Sequence, residues 1–364
     1  MSNISEQNFT HLLQLKKSKR TIMKTIIFLL LALCSITMHA GKDNYMDYYK
    51  RINEAEALFL ENNIEGALDN YKSIFTDYAP FAKDCYIALE LSAMCCDTGR
   101  TAYFLAKGFE NGLSWSTVST IRQVQQLFAR YPLYQKQMLN RYKQLRSSYI
   151  ARLNCYVRGI CVSMQKKDGT FHEIPWDSWG NKNIRDSLYA KVLTDNVTEL
   201  VDLVRQYGFP GEKMIGVFDY EIDTYCDEGV NLRLEPVVTL FFWHQGCGYF
   251  LLKNELMDAV KKGELHPRTY ALTYEWAFKD IQDRPHNSSK INLSKFYKDD
   301  CRQNQSQQFH YNFYIDHRLD HKDTAKVNKD RSALGICSLE HDRRKKEFER
   351  KHGVKLFFGL FNYL

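Results

Sequence analysis

"AEALFLENNIEGALDNYKSIF", residues 55–75, decides how the front half of the chain is read. Apolar residues recur at helical spacing up to Leu60, the pattern breaks at Asn62–Asn63, and a second helical pattern follows through Ala67, Tyr71 and Ile74. Asparagine competes with the backbone for hydrogen bonds and tolerates turn conformations, so the break predicts two helices folded back on each other. About 35 residues later "CYIALELSAMCCDTGRTAYFLAKGFENG" (85–112) repeats the layout, with the break placed at Thr98–Gly99. Ala102, Ala106 and Phe109 echo Ala67, Tyr71 and Ile74; Glu90 and Ala93 echo Ala55 and Leu58. Cys95 and Cys96 fall inside this pattern and are expected to act as small apolar residues.

Working outward, "STVSTIRQVQQLFARY" and "YQKQMLNRYKQLRSSYIARL" form a third helical unit divided by Pro132. Stacked hairpins need about three units to bury a continuous core, which makes 41–153 one module. Its small residues at close-approach positions and aromatics between helices resemble tetratricopeptide repeats, although the Trp and Gly of that family's leading helix are missing. The resemblance implies a concave groove lined by the leading helices: Tyr49, Ile52, Glu56 and Phe59, then Cys85, Ala88, Leu91 and Met94. That face has no Lys/Asn set to clamp a peptide carboxylate. A groove so apolar suits a helix, supplied by a protein partner or by this chain's own C-terminal domain.

Composition then shifts. "QKKDGTFHEIPWDSWGNKN" (165–183) is rich in turn formers and reads as a connection, within a segment 154–195 that opens the second domain. In 196–364, "NVTELVDLVRQYGFPG" is a helix ended by Gly208 and Pro210. The apolar run from 237 continues as a helix to Lys262, "PRTYALTYEWAFKDI" is another, 283–312 is a polar loop, and "VNKDRSALGICSLEHDRRKKEFERKHG" holds a last turn and helix. The fold class expected is mainly α: helical-hairpin repeats followed by a mostly helical α+β domain. The second half resembles a bacterial domain family of unknown function found in secreted proteins. The matching features, in order, are Asn196 to Pro210 with Gly216, the segment around His244, the Lys262–Glu264 turn, the Tyr270 to Arg284 helix and Val327-Asn-x-x-Arg-x-x-x-Gly335. That family's Asp-Gln-x-x-Arg element has no counterpart, and its Gln-x-Tyr-Gly-Thr-Gln element survives at best as "QQFHYNF". The resemblance therefore carries no chemistry.

The first 40 residues read as an export signal: a start at Met23, Lys24, an apolar core, and Ala40 before Gly41. The apolar run is too short to span a membrane comfortably. The chain is therefore expected to be periplasmic or secreted. "LALC" also resembles a lipoprotein box, with Leu33 where a small residue is wanted; only lipidation at Cys34 would tie the chain to a membrane. Five of the 50 Lys/Arg and one of the 43 Asp/Glu lie in that segment, which leaves a net charge of +3 and argues against nucleic acid as a partner. Nine of the ten cysteines remain after cleavage, with no Cys-x-x-Cys pair.

The candidate chemical residues are few. His244, beside Gln245 in "VVTLFFWHQGCGYFLL", either serves as a general base or binds a ligand in a dry pocket, or else is a core imidazole bonded through both nitrogens. His317 and His321 stand four apart in "YIDHRLDHKD", the spacing of an inverted zincin-like metal site, or else of a solvated turn. Arg331, with Asn328, either clamps an anionic ligand or pins the last helix through an ion pair. "RRKKEFER" (343–350), with Arg344 and Glu347 at pair spacing, reads as a solvated face, and "VKLFFGLFNYL" (354–364) must pack onto the domain or dock elsewhere. The expectation is an exported binding or scaffolding protein without a cofactor; the alternative is a hydrolase with a pocket at His244 and Arg331.

Overall fold

A computed structural model describes residues 44–173, 181–218, 234, 236, 238–239, 246–283 and 321–359. Helix α1 (Tyr45–Leu60) starts where Asn44 Oδ1 accepts the Met46 N–H at 3.0 Å, and α2 (Ile64–Asp77) where Asn63 Oδ1 accepts the Gly66 N–H at 3.0 Å. Between them Asn62 takes a positive φ of 64° and reverses the chain. Tyr71, Leu68 and Ala67 of α2 are wholly buried against α1. The second hairpin is α3 (Ala82–Met94) and α4 (Thr98–Glu110), the latter capped by Asp97. Its break lies at residues 95–97, ahead of the expected Thr98–Gly99. Cys96 carries the turn at φ 55°, and both Cys95 and Cys96 are exposed, not core.

α5 (Trp115–Ser119), α6 (Arg122–Arg130) and α7 (Pro132–Arg152) follow. Pro132 stands at the first turn of α7, where its missing N–H costs nothing. α7 packs on α4 and α6 on α3, with Trp115 stacked on Phe128 at 5.5 Å between ring centres. α8 (Cys155–Glu173) runs straight through the "QKKDGTFHE" that composition marks as a connection. Packing against α9 (Lys182–Tyr207) overrides the glycine and polar residues there, and Asn196 Nδ2 donates to the Met164 carbonyl at 3.2 Å.

The later elements are α10 (Glu212–Ile215), α11 (Gly246–Leu251), α12 (Lys253–Lys262), α13 (Pro267–Asp283), α14 (His321–Ala333) and α15 (Leu339–His352). The described residues are thus mainly helical and contain no strand, so the β component expected of the second half has no support among them. Short apolar runs suit a buried helix as well as a strand, and the run that ends at Leu252 becomes helical from Gly246. From Asn44 onward the chain forms one compact unit, in which α12 and α15 both pack on α1. No helix among the described residues is long and apolar enough to cross a membrane.

Candidate functional site

The face of α1 expected to line a groove is covered by later parts of the same chain. Tyr49 Oη donates to the carbonyls of Val260 (2.8 Å) and Leu265 (3.2 Å), which joins α1 to the turn after α12. That turn depends on Gly263: its φ is 68°, and a Cβ there would lie 2.3 Å from the Tyr45 ring. One turn along α1, Asn53 Nδ2 donates to the Gly335 carbonyl at 2.8 Å. Gly335 needs its φ of 73°, and a Cβ would meet Tyr49 Cβ at 2.7 Å. Glu56 follows, 4% exposed, with Lys345 Nζ at 2.5 Å from Oε1 and His341 Nε2 at 3.7 Å from Oε2. Phe59 packs on Phe348 with ring centres 5.0 Å apart.

The second leading helix is covered similarly. Glu90 Oε2 accepts the Lys355 N–H at 2.7 Å, and Tyr86 meets the Phe358 ring edge-on at 5.0 Å. Leu91 is wholly buried and Met94 partly so. The segment after α15 therefore packs onto the hairpins, with Val354 and Leu356 buried.

Charge in the charged helix is sorted by face. Arg343, Glu347 and Arg350 are exposed, but Lys345 (3% exposed) and Phe348 are buried. The reading of 343–350 as a uniformly solvated face is corrected accordingly. His341, Lys345 and Phe348 recur at i, i+4 and i+7, the stripe that meets α1. Burial alone would raise the Glu56 carboxyl, but Lys345 and His341 outweigh it and hold it at about 2.

Beside this pair lies a second ionic knot. Asp342, in the first turn of α15, is gripped by Arg268 of α13, with Nη1 at 3.1 Å from Oδ2, and by Arg331 Nη2. Arg331 is fully buried and its Nε also donates to the Cys337 carbonyl at 2.7 Å. Burial pushes Asp342 up, yet the two arginines together hold it well below the usual carboxylate range. The Cys337 thiol donates to Asp342 Oδ1 at 3.1 Å and accepts from Arg268 Nη2 at 3.2 Å. Asn328 Oδ1 accepts the Leu339 N–H at 2.9 Å. The Val327–Gly335 motif is therefore a joint: Val327 is buried, Asn328 and Arg331 organise the start of α15, and Gly335 supplies the turn.

A cavity of about 210 Å³ opens on the same side as the Gly263 turn. Its lining includes Phe81, Tyr149, Arg152, Glu212, Lys213 and Gly263. Glu212 Oε1 accepts the N–H of Ala82 at the start of α3, in place of a capping side chain. Burial pushes its carboxyl up to about 8, against the pull of that N–H. Lys83 is moved the other way, to about 8, by burial and by nearby Lys345 and Arg268, against the pull of Asp84. Nothing in the sequence marks Glu212 or Lys83, because their shifts come from distant helices closing over them.

No family model matches the chain, and no curated protein or solved structure matches it either.

Of the sequence candidates, Glu56, Phe59, Asn328 and Arg331 all contact α15, while Tyr49 bonds to the turn after α12. His244, Gln245 and His317 lie outside the described residues, as do Met23 and Cys34. His321 opens α14, but its side chain also lies outside them. Missed by sequence reasoning, Cys337 and His341 join Glu56 in placing a thiol, an imidazole and a carboxylate within 4.8 Å of one another.

Proposed function

We propose that this chain is an exported cell-envelope binding or scaffolding protein, built on tetratricopeptide-like hairpins whose groove its own C-terminal helix occupies. The observation that carries the reading is the buried Glu56–Lys345 pair, flanked by Phe59–Phe348 and by Tyr49 on the α12 turn. A charged side chain from each partner is out of water at one contact, which is costly unless the two are matched. Such a matched contact favours a seated helix over an incidental touch. The hairpins then serve as a rigid frame, and external partners meet the outer surfaces or a groove from which α15 has been displaced.

The reading is tested with a variant carrying Lys345→Glu and Phe348→Asp, which places like charge against Glu56 and a carboxylate against Phe59. The variant should capture in trans a synthetic peptide of residues 338–358, while the unmodified chain should not. Equal binding to both, or to neither while the variant stays folded, rejects self-occupancy. Export is tested separately by mass spectrometry of the protein from the envelope fraction, where a mature start at Gly41 is expected. An intact chain from Met1 in the cytoplasm rejects it.

A further inference from the structure

We propose that Glu56, Cys337 and His341 form a binding site for a thiophilic divalent cation of the zinc class, which staples the start of α15 to α1. The inference rests on the reading that α15 sits in the groove, and adds a ligand to it.

The donor set is the first argument. Thiolate and imidazole select zinc-like ions over hard cations such as magnesium or calcium, and a carboxylate completes three protein ligands with one position left for water. The geometry is the second. The three donor atoms all lie within 4.8 Å of one another, and His341 Nε2 stands 3.7 Å from Glu56 Oε2. A tetrahedral ion with bonds of about 2.0–2.3 Å needs donor separations of roughly 3.3–3.7 Å. From that 4.8 Å limit, closing the site draws the donor atoms together by about 1 Å. The third is that His341 Nε2 is buried with no hydrogen-bond partner, an atom that a metal would satisfy.

The outer contacts are already in place. Lys345 holds the other Glu56 oxygen, Oε1, and Arg268 Nη2 donates to Cys337 Sγ, so each would steady a ligand without competing for the ion. In the binding step a metal–Sγ bond forms, the Cys337 S–H bond breaks, and the proton leaves to solvent. Glu56 binds through Oε2 as a carboxylate and His341 through Nε2 as neutral imidazole. The cluster gains one positive charge overall, and Asp342, whose Oδ1 lies 3.1 Å from Sγ, faces it. Asp342 loses the hydrogen bond it accepts from the Cys337 thiol but keeps both arginines. Two ligands come from the joint and first turn of α15 and the third from α1, so the ion spans the contact that the proposed function relies on.

The test is titration of the purified full chain with Co²⁺, read by thiolate-to-cobalt charge-transfer absorption, with Zn²⁺ as competitor. One equivalent should bind with a charge-transfer band that Zn²⁺ abolishes. Cys337→Ser should lose the band, and His341→Gln should weaken binding at least about tenfold. His341→Gln keeps the test sound if Cys337→Ser does not fold, because the glutamine amide keeps a polar group beside Glu56 where His341 Nε2 lies 3.7 Å from Oε2. A band that survives both variants but vanishes in Cys95→Ser/Cys96→Ser belongs to surface thiols and overturns the site. No binding by a folded chain overturns it too. Hydrogen exchange separates the two failures: slow α15 amides without metal leave the groove reading standing, whereas fast α15 amides at every metal level refute that reading itself.

Discussion

Replacing Lys345 with Met keeps the apolar stem but removes the ammonium from a site in which Lys345 is 3% and Glu56 4% exposed. The carboxylate is left with the His341 imidazole at 3.7 Å. Removing one partner of a buried pair costs about 3–5 kcal/mol, a shift of roughly one hundred- to a few thousand-fold in the folding equilibrium. The loss should depend on pH. In the unmodified chain the folded pKa of Glu56 is depressed to about 2, so its contribution is present above the ordinary value of 4.5 and is lost as pH falls toward 2. Without Lys345, burial dominates and the folded pKa rises above 4.5, so stability falls as pH climbs through that range. The gap between variant and parent should therefore be widest near pH 7 and narrow toward pH 5. Adding Glu56→Gln removes the stranded charge and should recover part of the loss. Urea unfolding at the two pH values, run as a double-mutant cycle, measures all of this. A loss under about 1 kcal/mol, equal at both pH values, would mark an ordinary solvated surface pair and refute the reasoning.

Three further outcomes follow from the same contacts. Gly263→Ala forces a Cβ at positive φ into the Tyr45 ring and should lower stability by about 1–3 kcal/mol, read as a fall in thermal midpoint. Phe348→Ala should cost about 3–5 kcal/mol by emptying a buried aromatic contact, while Arg343→Ala on the solvent face of the same helix should stay within about 0.5 kcal/mol in urea unfolding. Glu212 (about 8) and Glu90 (about 7) are raised above 4.5 in the folded chain, so each binds more proton folded than unfolded and stability should decline as pH rises from 4.5 toward 8. Glu212→Gln should flatten that decline in a series of unfolding curves, and an unchanged slope would show that Glu212 is solvated.

The hairpins were legible because their signals are local. Asn62–Asn63 marks a break that the fold keeps, and the apolar residues of α2 recur on one face. The second break lies ahead of Thr98–Gly99 because Cys96 carries the turn, and cysteine is not a residue type that advertises positive φ. The 165–173 stretch is helical against its composition, because Gly and polar residues suggest a loop unless a neighbouring helix, here α9, holds them in a longer one. Tyr49, Glu56 and Phe59 share one face of α1, and later parts of the chain cover it. What escaped was the other side. Around Lys345 so many charges crowd the helix that composition hides the stripe of half-buried His341 and buried Lys345 and Phe348. Arg268, Asp342 and Cys337 stand far apart or in different elements, and only the closed fold makes them one cluster.

Peptide-resolved hydrogen exchange on the full chain tests the seating of α15 most directly. Amides of residues 339–352 should exchange as slowly as those of α1 and α3, because lifting α15 takes Lys345 from the buried Glu56 and Asp342 from Arg268 and Arg331. Rapid exchange across 339–352, while α1 to α4 stay protected, would mean that α15 lies free of the groove and would contradict the assignment.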